Sequence, residues 1–483
     1  MNNFSARARA QHVDDAIRDA RDASASGANG IYLGHDASGW RQAEPQQSVL
    51  VLGPPRSGKT SSLVIPNVLS ANGTVVTTST KPDVLDATAP ARSRVGACHL
   101  FDPTGSVADR PEVHRLRWSP LPGCTSWRTA LATARSLVVV GSGGSVTTPV
   151  ANHWTERAQA LLAPLLHAAA LEGADMRTVL SWVDRHRALP AQQILSGADG
   201  GVARDLLDGI VTTDERELSG IWSTASGALG GFRSEEALAA TCDPDLDLTD
   251  LVRSSDTVYI AAPAHHQLLV APLVVGFLDD VRRAAYERAG TGTGAGDAPV
   301  VLALDELANI APLPDLPSMI SEGGGQGVVT LACFQDLSQA RHRWPTQADG
   351  FPSLFGTTVV LPGIGDVRTL DALSVLTGDH EVVTRSVSRG RTLSDRPLAD
   401  LVTGGRPQVG EQLSTQWRRR LAPDQISRGV PGAALTFDRR NQASWTPLAP
   451  AHTTEPWRSL TGSGRVLDRE RTPERTRSSG LER

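Results

Sequence analysis

Short apolar runs recur along the chain, separated by polar turns or by stretches with helical spacing. Runs of about four to eight apolar, often β-branched residues between turn formers are typical of buried strands. Because strands that alternate with helices form parallel sheets, the pattern predicts an α/β fold with a mainly parallel sheet. The predicted strands cover residues 31–34, 48–52, 74–78, 99–101, 257–262, 300–304, 328–334, 357–361, 381–387 and 433–437.

Residues 126–250 lack a strand pattern and carry helical spacing instead, as in the leucine-rich segment 152–171. This predicts an all-α domain inserted into the sheet domain, which would comprise residues 31–125 and 251–440. The remaining stretches are a polar N-terminal lead (1–30), a polar, loop-like stretch (388–420) and a Pro-, Thr-, Arg- and Ser-rich tail (441–483) that we expect to be disordered.

Charge is uneven along the 483 residues, although the net charge is only −5 and gives no global case for nucleic-acid binding. Residues 150–250 contain seven arginines and sixteen acidic residues, which indicates either a solvated surface or a docking site for a basic protein. Residues 385–440 contain eleven arginines and five acidic residues. That excess indicates either a contact with a phosphate backbone or, for residues 388–416, a disordered charged linker.

Neither membrane insertion nor secretion is indicated by the sequence. No run reaches the roughly 18 apolar residues of a membrane span, and residues 258–278 are interrupted by His265, His266 and Gln267. The polar N-terminus lacks the apolar core of a signal peptide. The four cysteines form no C-x-x-C pair and no Cys/His cluster, as expected for small buried side chains in a reducing cytosol. We therefore expect a cytoplasmic protein.

The stretch Gly53-Pro54-Pro55-Arg56-Ser57-Gly58-Lys59-Thr60 matches G-x-x-x-x-G-K-[ST] at every fixed position. It follows a predicted strand and precedes a helical pattern at 61–69, in which Pro66 predicts a kink. This is the context of a phosphate-binding loop, whose backbone N–H groups and helix N-terminus hold an anion. A chance glycine turn, the alternative, would not explain these flanks. We predict that Gly53, Pro54, Pro55, Arg56, Ser57, Gly58, Lys59, Thr60 and Ser61 bind ATP, and that Thr60 and Asp305 bind Mg²⁺.

Lys59 and Lys81 are the only lysines in the sequence. In such a loop Lys59 would reach the β- and γ-phosphates, and Thr60 would offer its hydroxyl to Mg²⁺. A compact ammonium suits this position, whereas the planar fork of arginine does not. The retention of lysine here, in a chain that otherwise uses arginine, supports the prediction.

Two later strands end in polar residues of the type that nucleotide hydrolysis needs. The apolar run 300–304 is followed by Asp305 and Glu306, the pattern of a Walker B strand. Asp305 would hold Mg²⁺, and Glu306 would activate the attacking water as a general base. Gln335 follows the run 328–334 and would sense the γ-phosphate.

Three more charged residues follow predicted strands: Lys81 and Asp83 come after residues 74–78, and Asp102 comes after residues 99–101. Binding groups in parallel α/β sheets gather at the carboxyl ends of strands. Lys-Pro-Asp and Asp-Pro-Thr-Gly are also ordinary turn sequences. Both interpretations stay open from sequence alone.

These motifs, in their order and spacing, resemble the type IV coupling proteins, the TraG/TraD-like ATPases of conjugation and type IV secretion. The resemblance covers about residues 31–450, and the arginine-rich composition is similar to that of a soluble, actinobacterial-type member. Besides the phosphate-binding loop, it is carried by residues 79–83, 101–105, 118–121, 304–317, 321–327, 334–339 and 420–424.

The resemblance implies a RecA-like P-loop NTPase with an all-α insertion, assembled as a homohexamer with ATP between subunits. It implies recruitment of a relaxase–DNA complex and translocation of single-stranded DNA into a type IV secretion channel. The acidic insertion would receive the relaxase or another basic protein, and the basic segment would face the pore. The protein would lie at the inner face of the plasma membrane, held by the channel or by a separate membrane anchor.

Two features depart from the family pattern. Members usually begin with transmembrane helices, and no such run precedes the phosphate-binding loop here. Many members also carry an arginine, proposed to act across the subunit interface, where this chain has Gly324 and Gln326. Its absence leaves Arg341 or Arg343 as substitutes, or a slow ATPase.

Two other functions compete with this interpretation. An FtsK-type pump for double-stranded DNA is disfavoured by the coupling-protein-like stretch 307–317. A nucleotide-binding docking platform with little turnover is favoured by the missing arginine, whereas the intact Lys59, Asp305 and Glu306 favour turnover.

Overall fold

The computed structural model of the protein describes residues 2–26, 29–143, 149–197, 201–291, 298–392 and 406–461. Its strands are β1 (Tyr32–Asp36), β2 (Gly39–Gln42), β3 (Val49–Leu52), β4 (Val75–Ser79), β5 (Cys98–Phe101), β6 (His114–Arg115), β7 (Thr257–Ala261), β8 (Val300–Leu304), β9 (Val328–Phe334), β10 (Thr357–Val360), β11 (Asp379–Thr392), β12 (Arg406–Arg419), β13 (Ala433–Phe437) and β14 (Ala443–Pro447).

The α-helices of these described ranges are α1 (Asn2–Ser26), α2 (Ile65–Ser70), α3 (Asp83–Arg92), α4 (Trp127–Gly141), α5 (Pro149–Glu172), α6 (Met176–Asp184), α7 (Leu189–Gly197), α8 (Gly201–Val211), α9 (Glu215–Ala228), α10 (Glu235–Thr241), α11 (Leu248–Leu251), α12 (Gln267–Gly290), α13 (Leu307–Ile310), α14 (Leu316–Gly323), α15 (Leu337–Arg343), α16 (Phe351–Leu354), α17 (Val367–Leu376), α18 (Pro423–Arg428) and α19 (Trp457–Leu460).

Ten of the described strands form one sheet in the order β14-β13-β10-β3-β9-β8-β4-β7-β5-β6. Every neighbouring pair from β10 to β6 is parallel, whereas β13 and β14 add antiparallel pairs at one edge. The predicted mainly parallel α/β fold is therefore confirmed. Strands β11 and β12 form a separate two-stranded ribbon, and β1 pairs with β2.

The central strand β3 supplies side chains to hydrophobic cores on both faces of the sheet. Leu50 and Leu52 belong to the core that continues into the helices α4–α9, whereas Val49 and Val51 belong to the core against α1, α2 and α19. This double burial explains why β3, like most parallel strands, reads as a continuous apolar run.

Helices α4 to α11 follow one another between β6 and β7, the stretch for which the sequence predicts helices. Several of them begin at a side chain that accepts a hydrogen bond from the first turn, as Asp175, Asp214 and Ser234 do. The division into a sheet domain and an inserted domain at residues 126 and 250 stays a prediction.

The prediction of disorder from residue 441 onward is wrong for residues 443–461. Strand β14 pairs with β13 in the main sheet, so the sheet continues past residue 440. Trp457 is fully buried, its Nε1 donates a hydrogen bond to Ser70 Oγ (2.8 Å), and its ring stacks on Trp40. A few aromatic contacts hold a segment whose average composition is polar, and a composition argument misses them. Residues 462–483 lie outside the described residues.

The loop-like prediction for residues 388–420 is also wrong where the structure describes them. Strands β11 and β12 pair from Asp379↔Arg419 to Thr392↔Arg406. The sequence shows little alternation of apolar and polar residues here, because the ribbon is exposed on both faces and contains many polar residues. Residues 393–405 lie outside the described residues.

None of the helices described above combines the length and the apolarity needed to cross a membrane.

A mostly buried carboxyl on α12, that of Asp280, makes the free energy of unfolding depend on pH. Asp280 accepts a hydrogen bond from Trp118 Nε1 (3.1 Å) and pairs with Arg283. Burial nevertheless raises the pKa of Asp280 to about 7, whereas the carboxyl titrates at about 3.9 in an unfolded chain. The folded state therefore keeps a proton that the unfolded state loses, and stability falls as pH rises from about 4 to about 7.

We expect Asp280→Asn to raise the thermal midpoint at pH 8, because the amide still accepts from Trp118 but cannot ionise. The difference in thermal midpoint between Asp280→Asn and the wild type should become smaller as the pH is lowered toward 4. Thermal unfolding from pH 4 to 8 measures both effects, with the more exposed Asp315→Asn as the control variant. Midpoint curves of Asp280→Asn and the wild type that run parallel across this range would contradict the prediction.

Candidate functional site

The loop after β3 contains two residues in the left-handed backbone region. Its first residue, Gly53, donates its N–H to the carbonyl of Phe334 at the end of β9 (3.1 Å). Arg56 (φ +65°) and Gly58 (φ +97°) occupy the left-handed region, which allows the sharp turns of an anion-binding loop. A side chain at Gly53 would lie 2.6 Å from Ser57 Oγ, so glycine is required there.

The helix that leaves the loop begins as a π-helical turn, Thr60–Val64, and continues as α2. This widened turn lies just before Pro66, where the sequence predicts a kink. Proline lacks the N–H that would continue the regular ladder, and π turns are frequent at functional sites.

The ammonium of Lys59 lies inside the loop. Lys59 is 5 % exposed, and its Nζ donates to the carbonyl oxygens of Gly53 (2.6 Å) and Pro54 (3.1 Å). A phosphate oxygen would take the place of these carbonyls as acceptor. The buried hydroxyl Oγ of Ser57 has no partner among the described residues, and it is a second group available to a ligand in this loop.

Thr60 and Asp305 meet across the site. Thr60 Oγ1 donates to Asp305 Oδ2 (2.6 Å), and the hydroxyl of Thr78 on β4 donates to the Asp305 carbonyl (2.8 Å), which fixes its backbone. Burial raises the pKa of the Asp305 carboxyl, while the Thr60 hydrogen bond and the Lys59 charge act against that rise. Hydroxyl and carboxylate oxygens are ligands that Mg²⁺ accepts, so this pair, next to a phosphate loop, fits a Mg²⁺ site.

Glu306 has an unusual backbone. Its φ of 53° and ψ of 41° place it in the left-handed region, directly before α13. A residue with a Cβ adopts this region at a cost of about 1 kcal/mol or more, and such strain clusters at functional sites. Its carboxylate accepts a long hydrogen bond from Asn309 Nδ2 (3.4 Å).

Gln335 directly follows β9, which lies between β3 and β8 in the sheet. The strand order thus places it between the phosphate loop and the acidic pair. Its backbone N–H donates to the side chain of Gln339 (3.0 Å), which anchors the start of the following helix.

Of the three residues whose roles the sequence leaves open, Asp83 and Asp102 differ in their distance from the acidic pair along the sheet. Asp83 follows β4, the neighbour of β8, and accepts from Ser79 Oγ (3.0 Å). Burial raises the pKa of Asp83, and its charge contributes to the raised pKa of Asp305. Asp102, by contrast, follows β5, which lies beyond β4 and β7 in the sheet. Its carboxylate accepts from the backbone of Thr104 (3.1 Å) and Val107 (2.8 Å), as the turn interpretation expects.

The arginine expected at Gly324 has no room in this structure, because a Cβ there would overlap the backbone oxygen of Gln46. The two proposed substitutes are engaged within the chain. Arg341 binds the carboxylates of Asp349 (2.8 Å) and Asp366 (2.9 Å). Arg343 donates to the carbonyls of Ala308 (2.9 Å) and Gly143 (2.7 Å).

Sequence reasoning missed the wall of the phosphate loop that follows β10. A side chain at Gly53 would also lie 2.9 Å from Leu361 Cβ, and one at Gly363 (φ +99°) would lie 3.1 Å from Pro54 Cγ. The signal available in the sequence was Gly363, a glycine two residues after the predicted strand 357–361. The wall closes the side of the loop away from β9.

The family model described as "Type IV secretory system Conjugative DNA transfer" matches residues 5–398, a range that includes the phosphate loop and the Asp305–Glu306 pair. The chain belongs to this family. The resemblance drawn from the motifs is therefore confirmed.

Two curated relatives of this conjugative DNA transfer protein are each named "Conjugal transfer protein TraG" and come from Escherichia coli. One is 25% identical over 445 residues, which are 84% of this chain and 66% of the relative. The other is 23% identical over 450 residues, which are 85% of this chain and 67% of the relative. The chain thus spans about two thirds of the length of these relatives.

Solved structures of the coupling protein TrwB share the fold. The unbound form of TrwBdeltaN70 has a TM-score of 0.63 at 18% identity and covers 87% of this chain and 88% of its own. TrwB with ADP and Mg²⁺ has a TM-score of 0.60 at 18% identity, with coverages of 84% and 85%. TrwB with a non-hydrolysable ATP analogue has 0.62 at 18%, with coverages of 84% and 86%. These similarities confirm the RecA-like P-loop NTPase fold.

Proposed function

We propose that this member of the conjugative DNA transfer family is an ATP-hydrolysing coupling protein that translocates single-stranded DNA into a type IV secretion system. One observation carries the proposal: Lys59, the Thr60–Asp305 pair and Glu306 converge at the ends of β3 and β8, the two strands that flank β9. Each has the chemistry that phosphoryl transfer to water requires.

In this proposal the side chains divide the work. The ammonium of Lys59 binds phosphate oxygens and stabilises the negative charge that develops during transfer. Glu306 accepts the proton of the attacking water, and Gln335 contacts the γ-phosphate. Thr60 and Asp305 would hold Mg²⁺, which when bound neutralises phosphate charge. The structures of TrwB with ADP and Mg²⁺, and with an ATP analogue, support this assignment because they share the fold.

The charge distribution supports two further parts of the proposal. The excess of arginine over acid between residues 385 and 440 suits a DNA backbone. The excess of acid between residues 150 and 250 suits a relaxase or another basic substrate protein. We propose a homohexameric ring at the inner face of the plasma membrane, attached to the secretion channel or to a separate anchor.

A second candidate function is a nucleotide-binding docking platform that turns over little. It is favoured by the lack of space at Gly324 and by the intrachain bonds of Arg341 and Arg343. An arginine that acts across a subunit interface contributes about 10³- to 10⁵-fold in rate, so a site without one would be slow.

ATP hydrolysis by the purified protein tests these alternatives when it is measured alone, with single-stranded DNA and with duplex DNA of equal length. We expect a rate above that of Lys59→Ala and a further rise of several-fold with single-stranded DNA. A rate equal to that of Lys59→Ala in every oligomeric state would reject the motor and leave the docking platform. Stimulation by duplex alone would instead indicate an FtsK-type translocase.

A further inference from the structure

The segment that follows Gln335 is held by a hydrogen bond to another helix. Helix α15 begins at Leu337, two residues after Gln335. The first N–H groups of a helix have no partner within that helix, so they bond elsewhere. The N–H of Ser338 donates to the side chain of the adjacent Asp336 (2.8 Å). The N–H of Leu337 instead donates to Oγ1 of Thr369 on α17 (3.1 Å).

The hydroxyl of Thr369 accepts this bond because its own proton is used elsewhere. Both the hydroxyl and the N–H of Thr369 donate to Oδ2 of Asp366, the residue that precedes α17, and the N–H bond is 2.9 Å long. A hydroxyl has one proton and two acceptor lone pairs, so the Asp366 carboxylate leaves a lone pair of Thr369 for Leu337. Thr369 and Leu337 are both buried, and a buried N–H that loses its acceptor destabilises the structure around it.

Arg341 binds the same carboxylate from within α15. Its Nη1 donates to Asp366 Oδ2 (2.9 Å), and its Nε donates to Asp349 Oδ1 (2.8 Å). The Arg341 side chain is only 13% exposed. One oxygen of Asp366 therefore holds both helices, α17 through Thr369 and α15 through Arg341.

The chain just before Asp366 forms the wall of the phosphate loop. The N–H of Leu361 donates to the carbonyl of Leu52 at the end of β3 (2.8 Å), and a Cβ at Gly363 would lie 3.1 Å from Pro54 Cγ. Strands β10 and β9 lie on either side of β3. Asp366 thus connects the segments that follow these two strands, one on each side of the phosphate loop.

Stabilisation of the packing between α15 and α17 is the competing explanation for this cluster. Asp349 shares that role, because it accepts from Arg341 and also from Arg368 of α17. Of the two carboxylates, however, it is Asp366 that bonds Thr369, the residue that holds the start of α15. The two explanations therefore predict different consequences when each carboxylate is removed.

We propose that Asp366 and Thr369 are positioning residues of the nucleotide site, which act through the Leu337 N–H to set the place of Gln335 relative to the γ-phosphate. The proposal rests on the proposed function, in which Gln335 contacts that phosphate. It also gives Arg341 a role within its own chain, where it holds the Asp366 carboxylate in place.

Nucleotide binding by Asp366→Ala and by the matched control Asp349→Ala tests this role without requiring hydrolysis. Both variants remove a carboxylate that binds Arg341. ADP lacks the γ-phosphate, so we expect its affinity for Asp366→Ala to stay within about twofold of the wild type. The affinity for a non-hydrolysable ATP analogue should fall about tenfold, since a hydrogen bond to a charged group contributes about ten- to a hundredfold. Asp349→Ala should bind both nucleotides like the wild type. Equal losses for ADP and the analogue, or the same selective loss in Asp349→Ala, would overturn the proposal.

The hydroxyl of Thr369 is tested by two further variants. Thr369→Val keeps the shape of the side chain but removes the acceptor of the Leu337 N–H, so it should show the same selective loss of the ATP analogue. Thr369→Ser keeps the hydroxyl and should restore the affinity. Thermal unfolding without nucleotide checks that the variants are folded. A Thr369→Val protein that binds the analogue like the wild type would contradict the proposal.

A double variant separates positioning of Gln335 from a general loss of packing. Gln335→Ala alone should weaken binding of the ATP analogue and leave that of ADP unchanged. If Asp366 acts through Gln335, then Asp366→Ala should cause no further loss in the Gln335→Ala background. A second loss of equal size would show that the two residues act independently, and the positioning role would be rejected.

ATP hydrolysis by the same proteins separates this proposal from the proposed function. Selective loss of the analogue in Asp366→Ala, together with a wild type that does not hydrolyse ATP, would retain the positioning role and reject the motor. Hydrolysis by the wild type without selective loss in Asp366→Ala would do the reverse.

Discussion

Replacing Glu306 by glutamine is expected to lower the rate of ATP hydrolysis by about 10²- to 10⁴-fold, the contribution of a general base. The amide has nearly the same shape but cannot take a proton from water at neutral pH. The left-handed backbone at Glu306, which holds the side chain just beyond β8, should persist in the variant. Single-turnover hydrolysis, with nucleotide affinity measured separately, is the decisive measurement, and affinity should change little.

Glu322→Gln provides a matched control for this prediction, since Glu322 is an exposed carboxylate on α14. It should hydrolyse ATP like the wild type. An unchanged rate in Glu306→Gln would mean that another group activates the water. Asp83 would then be the next residue to replace, because its charge is coupled to that of Asp305.

Replacing Lys59 by alanine should weaken both binding and hydrolysis, with hydrolysis falling by about 10²- to 10³-fold. The structure places the ammonium inside the loop against the carbonyls of Gly53 and Pro54. Its loss removes the positive charge from the place where phosphate would bind. Nucleotide should therefore raise the thermal midpoint of the wild type and raise that of Lys59→Ala much less.

Lys59→Arg sharpens this second prediction. Arginine keeps the charge, but its planar guanidinium is larger than an ammonium. The side chain of Lys59 is only 5 % exposed and its Nζ lies against the carbonyls of Gly53 and Pro54, so this position has little space for a larger group. We expect it to be impaired as well. Full activity of Lys59→Arg would show that charge alone matters at this position. Thermal unfolding of both variants without nucleotide checks that the fold is intact.

The sequence predicts those parts of the candidate site that lie in short contiguous segments. The phosphate loop and the Asp305–Glu306 pair are short segments whose residue types and flanking strands carry the information locally. Thr60 and Asp305 are 245 positions apart in the sequence. Their proximity could still be predicted, because parallel strands bring their carboxyl ends to one edge of the sheet.

Features that depend on packing between distant segments were not predicted. The wall at Leu361 and Gly363 comes from a strand some 300 residues further along the chain than the loop it closes. The C-terminal segment is held by the buried side chain of Trp457, in a stretch that is mostly polar. The sequence predicts a strand over residues 381–387, within β11, but β12 was missed because a strand pair that is exposed on both faces has no strong apolar alternation.

The shared packing of β3 has a mechanical consequence. Leu50 and Leu52 lie in the same continuous core as Leu166 of α5 and Trp222 of α9. These helices are therefore packed against the sheet and are not joined to it only by a flexible linker. A force applied to these helices, for example by cargo drawn into a pore, would reach β3, the strand that precedes the phosphate loop. It would be transmitted through the packed side chains of the core, which resist compression, and not through the covalent chain alone.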